Sequence, residues 1–464
     1  MTNHLNQMKI KPEFNLKYIP KLTLFFCLCV LFSVSGMAQS ATPKSEKIIF
    51  RDVNVVTMNC NCILREQTVV IEDGIIKQIG KVGDIDIPDG IEVIEAKGSY
   101  LMPGLMDMHV HIFSEDELIL YLINGVTTVR NLWGWEAHLK MKKDVESGKI
   151  LGPEILTSGR IIDGKPAKLR GSAEIDNFLQ VKEEVKNQVK DGYDFIKVYD
   201  LLEADIYSAI ILEAQKYKIP VVGHVPKNVG LYSTFLAGQS SIEHLDGFLK
   251  VSTRDSVPSW SSQLDTTLLT YNTIVARDFN MWITPTLTVL ERGDLSAAES
   301  EAFLSKPEID YLPSFYKRFC CGSAYDIEDD LPIQERVLRK NNRLLVVKTL
   351  HKMGVRLLLG TDTGNRFVLP GFDIHSELEY LVMAGFSPYE ALKTGTINSA
   401  MYLGKLAEVG TVEEGKIADL ILVGENPLEN LNTIRKPIGV MARGQWIPDK
   451  YIQELLNKLE TKQK

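Results

Sequence analysis

Cysteine and histidine are scarce in this sequence, with six and eight residues among 464. Two of the cysteines lie in an apolar N-terminal segment, which leaves Cys60, Cys62, Cys320 and Cys321 for the rest of the chain. Four cysteines in a chain of this length do not make a disulfide framework, so the fold must rest on a hydrophobic core. The sequence leaves open whether these four form disulfides.

An excess of positive charge is also lacking. Lysine and arginine number 52 against 60 aspartate and glutamate residues, which gives a net charge of −8. A surface of this sign does not attract nucleic acid, so we exclude a nucleic-acid partner. The apolar fraction of 45% and the charged fraction of 24% are typical of a globular protein.

No apolar run after residue 40 is long enough to cross a membrane. The one run before it, "LTLFFCLCVLFSVSG", follows four lysines, ends at the small residue Gly36 and is followed by Ala38. This pattern predicts a signal peptide over residues 1–38 and a secreted or periplasmic protein without a stable membrane span after cleavage. An uncleaved anchor is the alternative interpretation.

The two ends of the remaining chain share a β-strand pattern. Residues 39–103 alternate apolar and polar positions, with Asp73-Gly74 as a hairpin turn, and residues 405–464 contain "GTVEEGKIADLILVGENP" in the same style. We therefore predict a small flanking β-sandwich domain that is built from both chain ends.

Between these ends, residues 104–404 alternate short apolar strands with helical segments. The eight strands are read from "LMDMHVHIF", "GVTTVRNL", "EILTSGRII", "DFIKVYDL", "IPVVGHVP", "SSIEHLDG", "MWITPTL" and "VRLLLGTDTG". This alternation predicts an α/β fold, a (β/α)8 TIM barrel. Roughly sixty residues separate the last two strands, too many for a simple crossover, so extra helices are expected there and are predicted to cover the site. A final helix, "SPYEALKTGTINSAMYLG", is expected to close the barrel.

Polar side chains stand where these strands end. His109 and His111 alternate on the first strand, so their imidazoles face the same side. The full set at strand ends is His109, His111, Lys197, His224, His244 and Asp362. Each residue alone has an ordinary structural interpretation, such as a hydrogen-bonded histidine or a capping aspartate. Four of eight histidines at the strand ends of one barrel instead indicate a metal site.

With these residues in order, the sequence resembles the amidohydrolase superfamily of metal-dependent hydrolases, from "GLMDMHVH" through "GTDTG" to "GTVEEGKIADLILV". The resemblance implies that His109 and His111 bind one divalent ion together with Asp362. It implies further that His224 and His244 bind a second ion. Zinc is the expected metal for both positions.

The resemblance also implies that Lys197 is carboxylated by carbon dioxide and bridges both ions. An ammonium between two dications would be repelled, and a neutral amine is able to add carbon dioxide. The implied chemistry is attack of a bridging hydroxide on a carbonyl, with Asp362 accepting the proton and passing it to the leaving group. Amide, lactam, carbamate and ester substrates all fit this chemistry.

Three further residues are candidates for substrate binding. Tyr199 shares a face with Lys197, Arg130 ends the second strand, and His375 follows the last one. For Arg130 a structural ion pair is the alternative, and for Tyr199 ordinary packing. Several stretches, including "GVTTVR" and "HSELEYLVMAGFSPYEALKTGT", resemble the imidazolonepropionase-related subgroup that contains Xaa-Pro dipeptidases.

This subgroup implies hydrolysis of an amide bond in a small molecule, first of all an Xaa-Pro dipeptide. The alternatives are a cyclic amide or lactone hydrolase and an exported binding protein without turnover. Homo-oligomerisation stays open.

Overall fold

The computed structural model describes residues 47–321 and 331–463, without the side chains of 319–321 and 463. The predicted signal peptide and the side chains of Cys320 and Cys321 lie outside the described residues. Within the two described ranges, no helix combines the length and the hydropathy that a membrane crossing requires. Cys60 and Cys62 form a disulfide with each other.

The described residues form eighteen strands in three sheets. The strands are β1 (Lys47–Val56), β2 (Ile63–Glu72), β3 (Ile75–Lys81), β4 (Glu92–Glu95), β5 (Tyr100–Pro103), β6 (Leu105–Val110), β7 (Val126–Asn131), β8 (Glu154–Thr157), β9 (Ile162–Asp163), β10 (Ala173–Glu174), β11 (Ile196–Val198), β12 (Val221–Gly223), β13 (Ser241–Glu243), β14 (Trp282–Thr284), β15 (Arg356–Leu357), β16 (Leu420–Val423), β17 (Gly439–Ala442) and β18 (Gln445–Pro448).

Fifteen α-helices form in the same residues. They are α1 (Glu115–Ile123), α2 (Glu136–Glu146), α3 (Phe178–Asp191), α4 (Ala204–Tyr217), α5 (Leu231–Ala237), α6 (Phe248–Val251), α7 (Thr266–Asp278), α8 (Leu287–Arg292), α9 (Ala297–Leu304), α10 (Ser314–Cys321), α11 (Ile333–Lys352), α12 (Ile374–Met383), α13 (Pro388–Thr394), α14 (Ile397–Tyr402) and α15 (Asp449–Gln463). Two short 3-10 helices span Pro307–Tyr311 and Leu431–Arg435.

Strands from both chain ends lie in one eight-stranded sheet, ordered β18-β17-β16-β5-β1-β2-β3 with β4 paired to β1. The N-terminal and C-terminal parts meet where β5 and β16 pair antiparallel, with Leu101 opposite Leu422. The sheet curls, because Ile75 at the start of β3 also pairs with Ile417 just before β16. The inner face is apolar and includes the edge-to-face pair of Phe50 and Trp446, whose ring centroids are 5.1 Å apart.

The hairpin predicted at Asp73-Gly74 is confirmed. Strands β2 and β3 pair antiparallel across these two residues, and both have positive φ, 53° and 78°. Tight two-residue hairpins need positive φ at both central positions, and an Asp-Gly pair adopts it at little cost.

The eight predicted strands of the middle region are present, as β6, β7, β8 and β11–β15. They form parallel sheets ordered β6-β7-β8 and β10-β9-β11-β12-β13-β14-β15. Single parallel bridges connect the two sheets on either side, Ser158 with Phe195 and Val110 with Thr363. Most of these strands are buried along their length, as expected when helices cover a parallel sheet. Their C-terminal ends therefore point to a common edge.

The long segment between β14 and β15 contains the extra helices that its length predicts, α8 to α11 and one 3-10 helix. Tyr316 on α10 is fully buried, and its hydroxyl makes two backbone hydrogen bonds. It accepts from Gly364 N at 2.8 Å and donates to Val368 O at 2.6 Å. One side chain of the inserted segment thus holds the loop that follows β15 at two points in its middle.

The final helix differs from the prediction, because it is interrupted between α13 and α14. At the break, Gly395 O accepts a hydrogen bond from Met106 N, and Thr394 O accepts one from Leu359 N. A continuous helix would keep these carbonyls for its own backbone. The interruption lets the helix end bond directly to β6, the strand that carries His109.

Candidate metal centre

His109 on β6 and His111, just after its end, converge on the aspartate that follows β15. Asp362 Oδ1 lies 3.2 Å from His109 Nε2 and 3.0 Å from His111 Nε2. The two imidazole centroids are 5.3 Å apart. This convergence follows from the two-residue period of the strand, which directs both side chains to one side.

Asp362 is fixed in place by β6 itself. Its backbone N donates to His109 O at 2.7 Å. The preceding Thr361 donates to both carboxylate oxygens of Asp107, from its backbone N at 3.0 Å and its hydroxyl at 2.6 Å. Asp362 adopts a left-handed backbone with φ of 61°, a conformation that costs a residue other than glycine about 1–3 kcal/mol. Such strain is typical of functional positions that the surrounding fold holds in place.

His224 and His244 face the same point from β12 and β13. The centroid of His244 lies 4.8 Å from that of His224 and 4.7 Å from that of His109. The ligand atoms of His109, His244 and Asp362 all lie within 4.8 Å of one another. The structure therefore brings all four histidines and the aspartate together.

Lys197 extends into this cluster from β11 and is 1% exposed. Burial lowers the pKa of its ammonium group, which favours the neutral amine. Gly223 on the neighbouring strand makes room for it, because a Cβ there would lie 3.0 Å from Lys197 Cδ and 2.2 Å from Val198 O.

Four buried atoms of the cluster have no hydrogen-bond partner among the described residues: His109 Nε2, His111 Nδ1, Lys197 Nζ and Asp362 Oδ1. Buried polar atoms are rarely left unpaired, since each loses its hydration without compensation. An imidazole nitrogen, an amine nitrogen and a carboxylate oxygen that converge without partners fit a divalent cation such as zinc.

The outward-facing nitrogens of three histidines are held by neighbouring side chains. His109 Nδ1 lies 3.0 Å from Glu243 Oε2, His224 Nδ1 lies 2.7 Å from Asp200 Oδ1, and His244 Nδ1 lies 2.6 Å from the Thr286 hydroxyl. Such contacts fix the tautomer and the orientation of metal-binding histidines. Burial lowers the pKa of all three imidazoles, that of His244 to about 4, so they stay neutral and able to bind a cation near neutral pH.

The charge state of Asp362 follows from its neighbours. Burial alone would raise the pKa of this carboxyl, but His109, His244 and His111 together lower it below its usual range. The group is therefore a carboxylate at neutral pH and is able to act as a ligand or a proton acceptor.

A cavity of about 230 Å³ opens above the cluster. Its lining residues are His109, His111, Trp133, Ile161, Leu169, Lys197, Tyr199, His224, His244, Asp362, Gly364, Asn365 and Arg366. Tyr199 therefore lines the cavity, and its ring centroid lies 4.0 Å from that of His224. Burial raises the pKa of the Tyr199 hydroxyl, so this hydroxyl remains a donor at neutral pH.

Arg130 is placed differently from the prediction. Its side chain is fully buried outside the cavity lining, where Nη2 donates to Glu243 Oε1 at 2.9 Å and Nε donates to Met108 O at 2.6 Å. Its Nη1 donates to Ser241 and Tyr402 hydroxyls, each at 3.0 Å. Arg130 is occupied by protein groups, in the structural ion pair that the sequence analysis gave as the alternative.

His375 is also absent from the cavity lining. It lies on α12, is 4% exposed, and its Nε2 is 3.1 Å from Asn124 Oδ1. Burial lowers the pKa of this imidazole to about 3. His375 therefore packs as a neutral side chain within the fold, away from the predicted substrate position.

The cavity contains residues that the sequence analysis missed, namely Trp133, Ile161, Leu169, Asn365 and Arg366. All of them lie on segments that follow strands. That placement was the available signal, because in parallel α/β folds these segments carry most substrate contacts. Arg366, and not Arg130, is the arginine that lines the cavity.

A sequence profile of the amidohydrolase family matches residues 100–447, which include every residue of the cluster. The chain belongs to the amidohydrolase family. As an amidohydrolase it is a hydrolase that acts on amide bonds, and the grouped imidazoles and carboxylates are its candidate metal-binding residues.

Several known proteins are similar to this amidohydrolase. Ochratoxinase of Aspergillus niger is 24% identical over 447 residues, which cover 81% of either chain. Among solved structures, the bottromycin amidohydrolase is 22% identical with a TM-score of 0.72, over 92% of this chain and 95% of its own. A Xaa-Pro dipeptidase with bound methionine is 21% identical with a TM-score of 0.66, over 87% of this chain and 100% of its own. These structures have the same fold as this chain.

Proposed function

We propose that the protein is an exported amidohydrolase with a two-cation centre that cleaves an amide bond in a small peptide, most simply an Xaa-Pro dipeptide. The observation that carries the proposal is the convergence of buried, unpartnered nitrogen and oxygen atoms beneath a cavity of about 230 Å³. The bridges on either side of the parallel sheets support a closed (β/α)8 barrel, with the cavity at the C-terminal ends of its strands.

In this proposal the six clustered residues divide between two zinc ions. His109, His111 and Asp362 would hold one ion, and His224 and His244 would hold the other. Lys197, as a carbamate formed with carbon dioxide, would supply anionic oxygens to both. When bound, the two cations polarise the amide carbonyl and make the attacking water acidic.

The protein's own groups handle the protons. Asp362 is a carboxylate at neutral pH and lies within 3.2 Å of two clustered imidazoles, so it is placed to accept a proton from the attacking water. Asp362 then returns this proton to the nitrogen of the amide that is being cleaved, which makes the nitrogen a better leaving group. The deep position of Asp362, with little exposure, keeps bulk water from competing for the proton.

The cavity favours a substrate with a negative charge and an apolar part. Arg366 lines it, its guanidinium lies 4.8 Å from the Phe367 ring centroid, and no described carboxylate pairs with it. Tyr199 adds a hydroxyl donor from the opposite strand end. Trp133, Ile161 and Leu169 provide apolar walls. This combination suits a dipeptide whose carboxylate meets Arg366, and the similarity to a Xaa-Pro dipeptidase supports the same class.

The proposal is tested by two measurements on one sample. Elemental mass spectrometry on protein purified with its native metals should give close to two equivalents of a divalent metal per chain. A panel of Xaa-Pro and other dipeptides should contain at least one substrate. Hydrolysis of lactams or lactones alone would contradict the dipeptide assignment. A protein that contains no metal and hydrolyses no member of the panel would contradict the hydrolytic centre.

Arg366→Gln should raise KM for dipeptides about 10- to 100-fold while kcat changes less, because a charge-assisted contact to the bound substrate is lost. Steady-state kinetics on a free dipeptide and on its C-terminally amidated form measure the effect. The amidated form should not respond to the substitution. A matched control is Arg356→Gln, since Arg356 is exposed on β15 and packs on Trp282. Equal effects on both substrates would reject the carboxylate contact.

A further inference from the structure

A buried ion pair lies directly beneath the first metal-binding histidine. Arg130 and Glu243 are each fully buried. Arg130 Nη2 lies 2.9 Å from Glu243 Oε1 and 3.2 Å from Oε2, and the Ser241 hydroxyl donates to Oε1 at 2.7 Å. Moving two charged groups from water into the protein interior costs free energy, so a gain in stability does not by itself explain an ion pair at this depth.

The second oxygen of Glu243 supplies that reason. Glu243 Oε2 lies 3.0 Å from His109 Nδ1. A carboxylate only accepts hydrogen bonds, so Nδ1 carries the hydrogen and Nε2 has a free lone pair. That Nε2 is the buried atom without a partner, 3.2 Å from Asp362 Oδ1. The hydrogen bond to Glu243 thus selects the tautomer of His109 that a cation requires.

Glu243 also belongs to the strand that positions a second histidine. It ends β13, and the next residue, His244, turns into the cluster with φ of 61°. The backbone N of His244 donates to Thr284 O at 3.0 Å, and the Thr284 hydroxyl accepts from Arg130 Nη2 at 3.1 Å. The Arg130–Glu243 pair therefore contacts both the side chain of one ligand and the strands that hold the other.

We infer that Glu243, oriented by Arg130, is a positioning residue for metal binding, which sets the tautomer and the ring orientation of His109. The inference rests on the proposed role of His109 as a metal ligand. It assigns Arg130 a function that differs from substrate binding: its Nη2 contacts both carboxylate oxygens and fixes their orientation, with Oε2 also facing the imidazole.

Glu243→Gln tests this inference with almost no change in shape. Arg130 has only donors, so the amide oxygen of the glutamine must face it, and the amide NH2 is left to face His109 Nδ1. Nδ1 would then have to accept, and the hydrogen would move to Nε2, toward the cation. We expect zinc affinity, measured by chelator competition on the metal-free protein, to fall about 10- to 100-fold.

Two further readouts separate positioning from a merely structural role. Nitrogen-15 NMR of the metal-free protein should show His109 protonated on Nδ1 in the wild type and on Nε2 in Glu243→Gln. Glu377→Gln is the matched control, because Glu377 is equally buried but accepts from Leu287 N and Thr288 N. This control should leave zinc affinity and the His109 tautomer unchanged.

Glu243→Asp is the second variant, in case the glutamine does not fold. The shorter side chain keeps its charge for Arg130 but withdraws from His109, so weaker zinc binding is again expected. The inference would be overturned if the Glu243 variants kept the zinc affinity and the His109 tautomer of the wild type and lost only melting temperature. The Arg130–Glu243 pair would then have a structural role alone. If the wild type itself binds no divalent metal, the proposed function fails, while the tautomer measurement still reports on the contact to Glu243.

Discussion

Asp362→Asn is expected to lower kcat by about 10²- to 10⁴-fold, the range of a lost general base. Asparagine has nearly the same shape as aspartate, but its amide does not take up the proton of the attacking water. It also removes the negative charge that faces His109 and His111 at 3.2 and 3.0 Å. Steady-state hydrolysis of the best dipeptide of the panel measures the loss, and circular dichroism monitors the fold.

The matched control for this variant is Asp419→Asn. Asp419 is also a buried aspartate, but its Oδ1 accepts from Arg443 N at the curled sheet, away from the cavity. We expect this control to affect stability only. Turnover of Asp362→Asn within a few-fold of the wild type, with metal still bound, would show that another group accepts the proton.

Lys197→Ala is expected to lose metal and to lose activity to the detection limit. The substitution removes the nitrogen that would carry the bridging carbamate and leaves an apolar space at the centre of the cluster. Acetate or propionate, which offer two anionic oxygens of suitable size, should partly restore both metal content and turnover. Elemental analysis and hydrolysis assays over a concentration series of these acids measure the rescue.

Lys416→Ala provides the control for the loss of a buried lysine. Its Nζ donates to Leu406 O at 2.7 Å and lies away from the cavity. Metal content should be unaffected in this control, and short acids should have no effect on it. Two equivalents of metal and full activity in Lys197→Ala would show that Lys197 does not bridge the ions.

The convergence of the metal-site residues could be anticipated from sequence for a local reason. His109 and His111 lie on a strand with a two-residue period, and Lys197 interrupts an apolar run that needs no charge. In each case the position relative to the strand end decides where the side chain points. In α/β folds, parallel strands that follow one another in the chain lie side by side in the sheet. The convergence of the side chains at the strand ends could therefore be predicted without the loop conformations.

The substrate side was harder to predict, because it depends on contacts between distant segments. Arg366 reaches the cavity from a loop that Tyr316 holds on both sides of it, at Gly364 and Val368, and nothing near Arg366 in the sequence indicates that. Arg130 stands at a strand end as expected, yet Glu243 and Met108 attract its donors beneath the cavity. His375 follows the last strand closely, but its helix packs it against Asn124.

The pairing of β5 with β16 has a consequence for how the protein is made. A ribosome that adds about 5–20 residues per second needs on the order of tens of seconds between these two strands. During that time β5 presents an unpaired edge, and β6, which carries His109, follows it after a single glycine. The nascent chain thus has the first histidines of the candidate metal centre long before the sheet beside them is complete. Chains that end before β16 should therefore expose this edge and aggregate rather than form a smaller working enzyme.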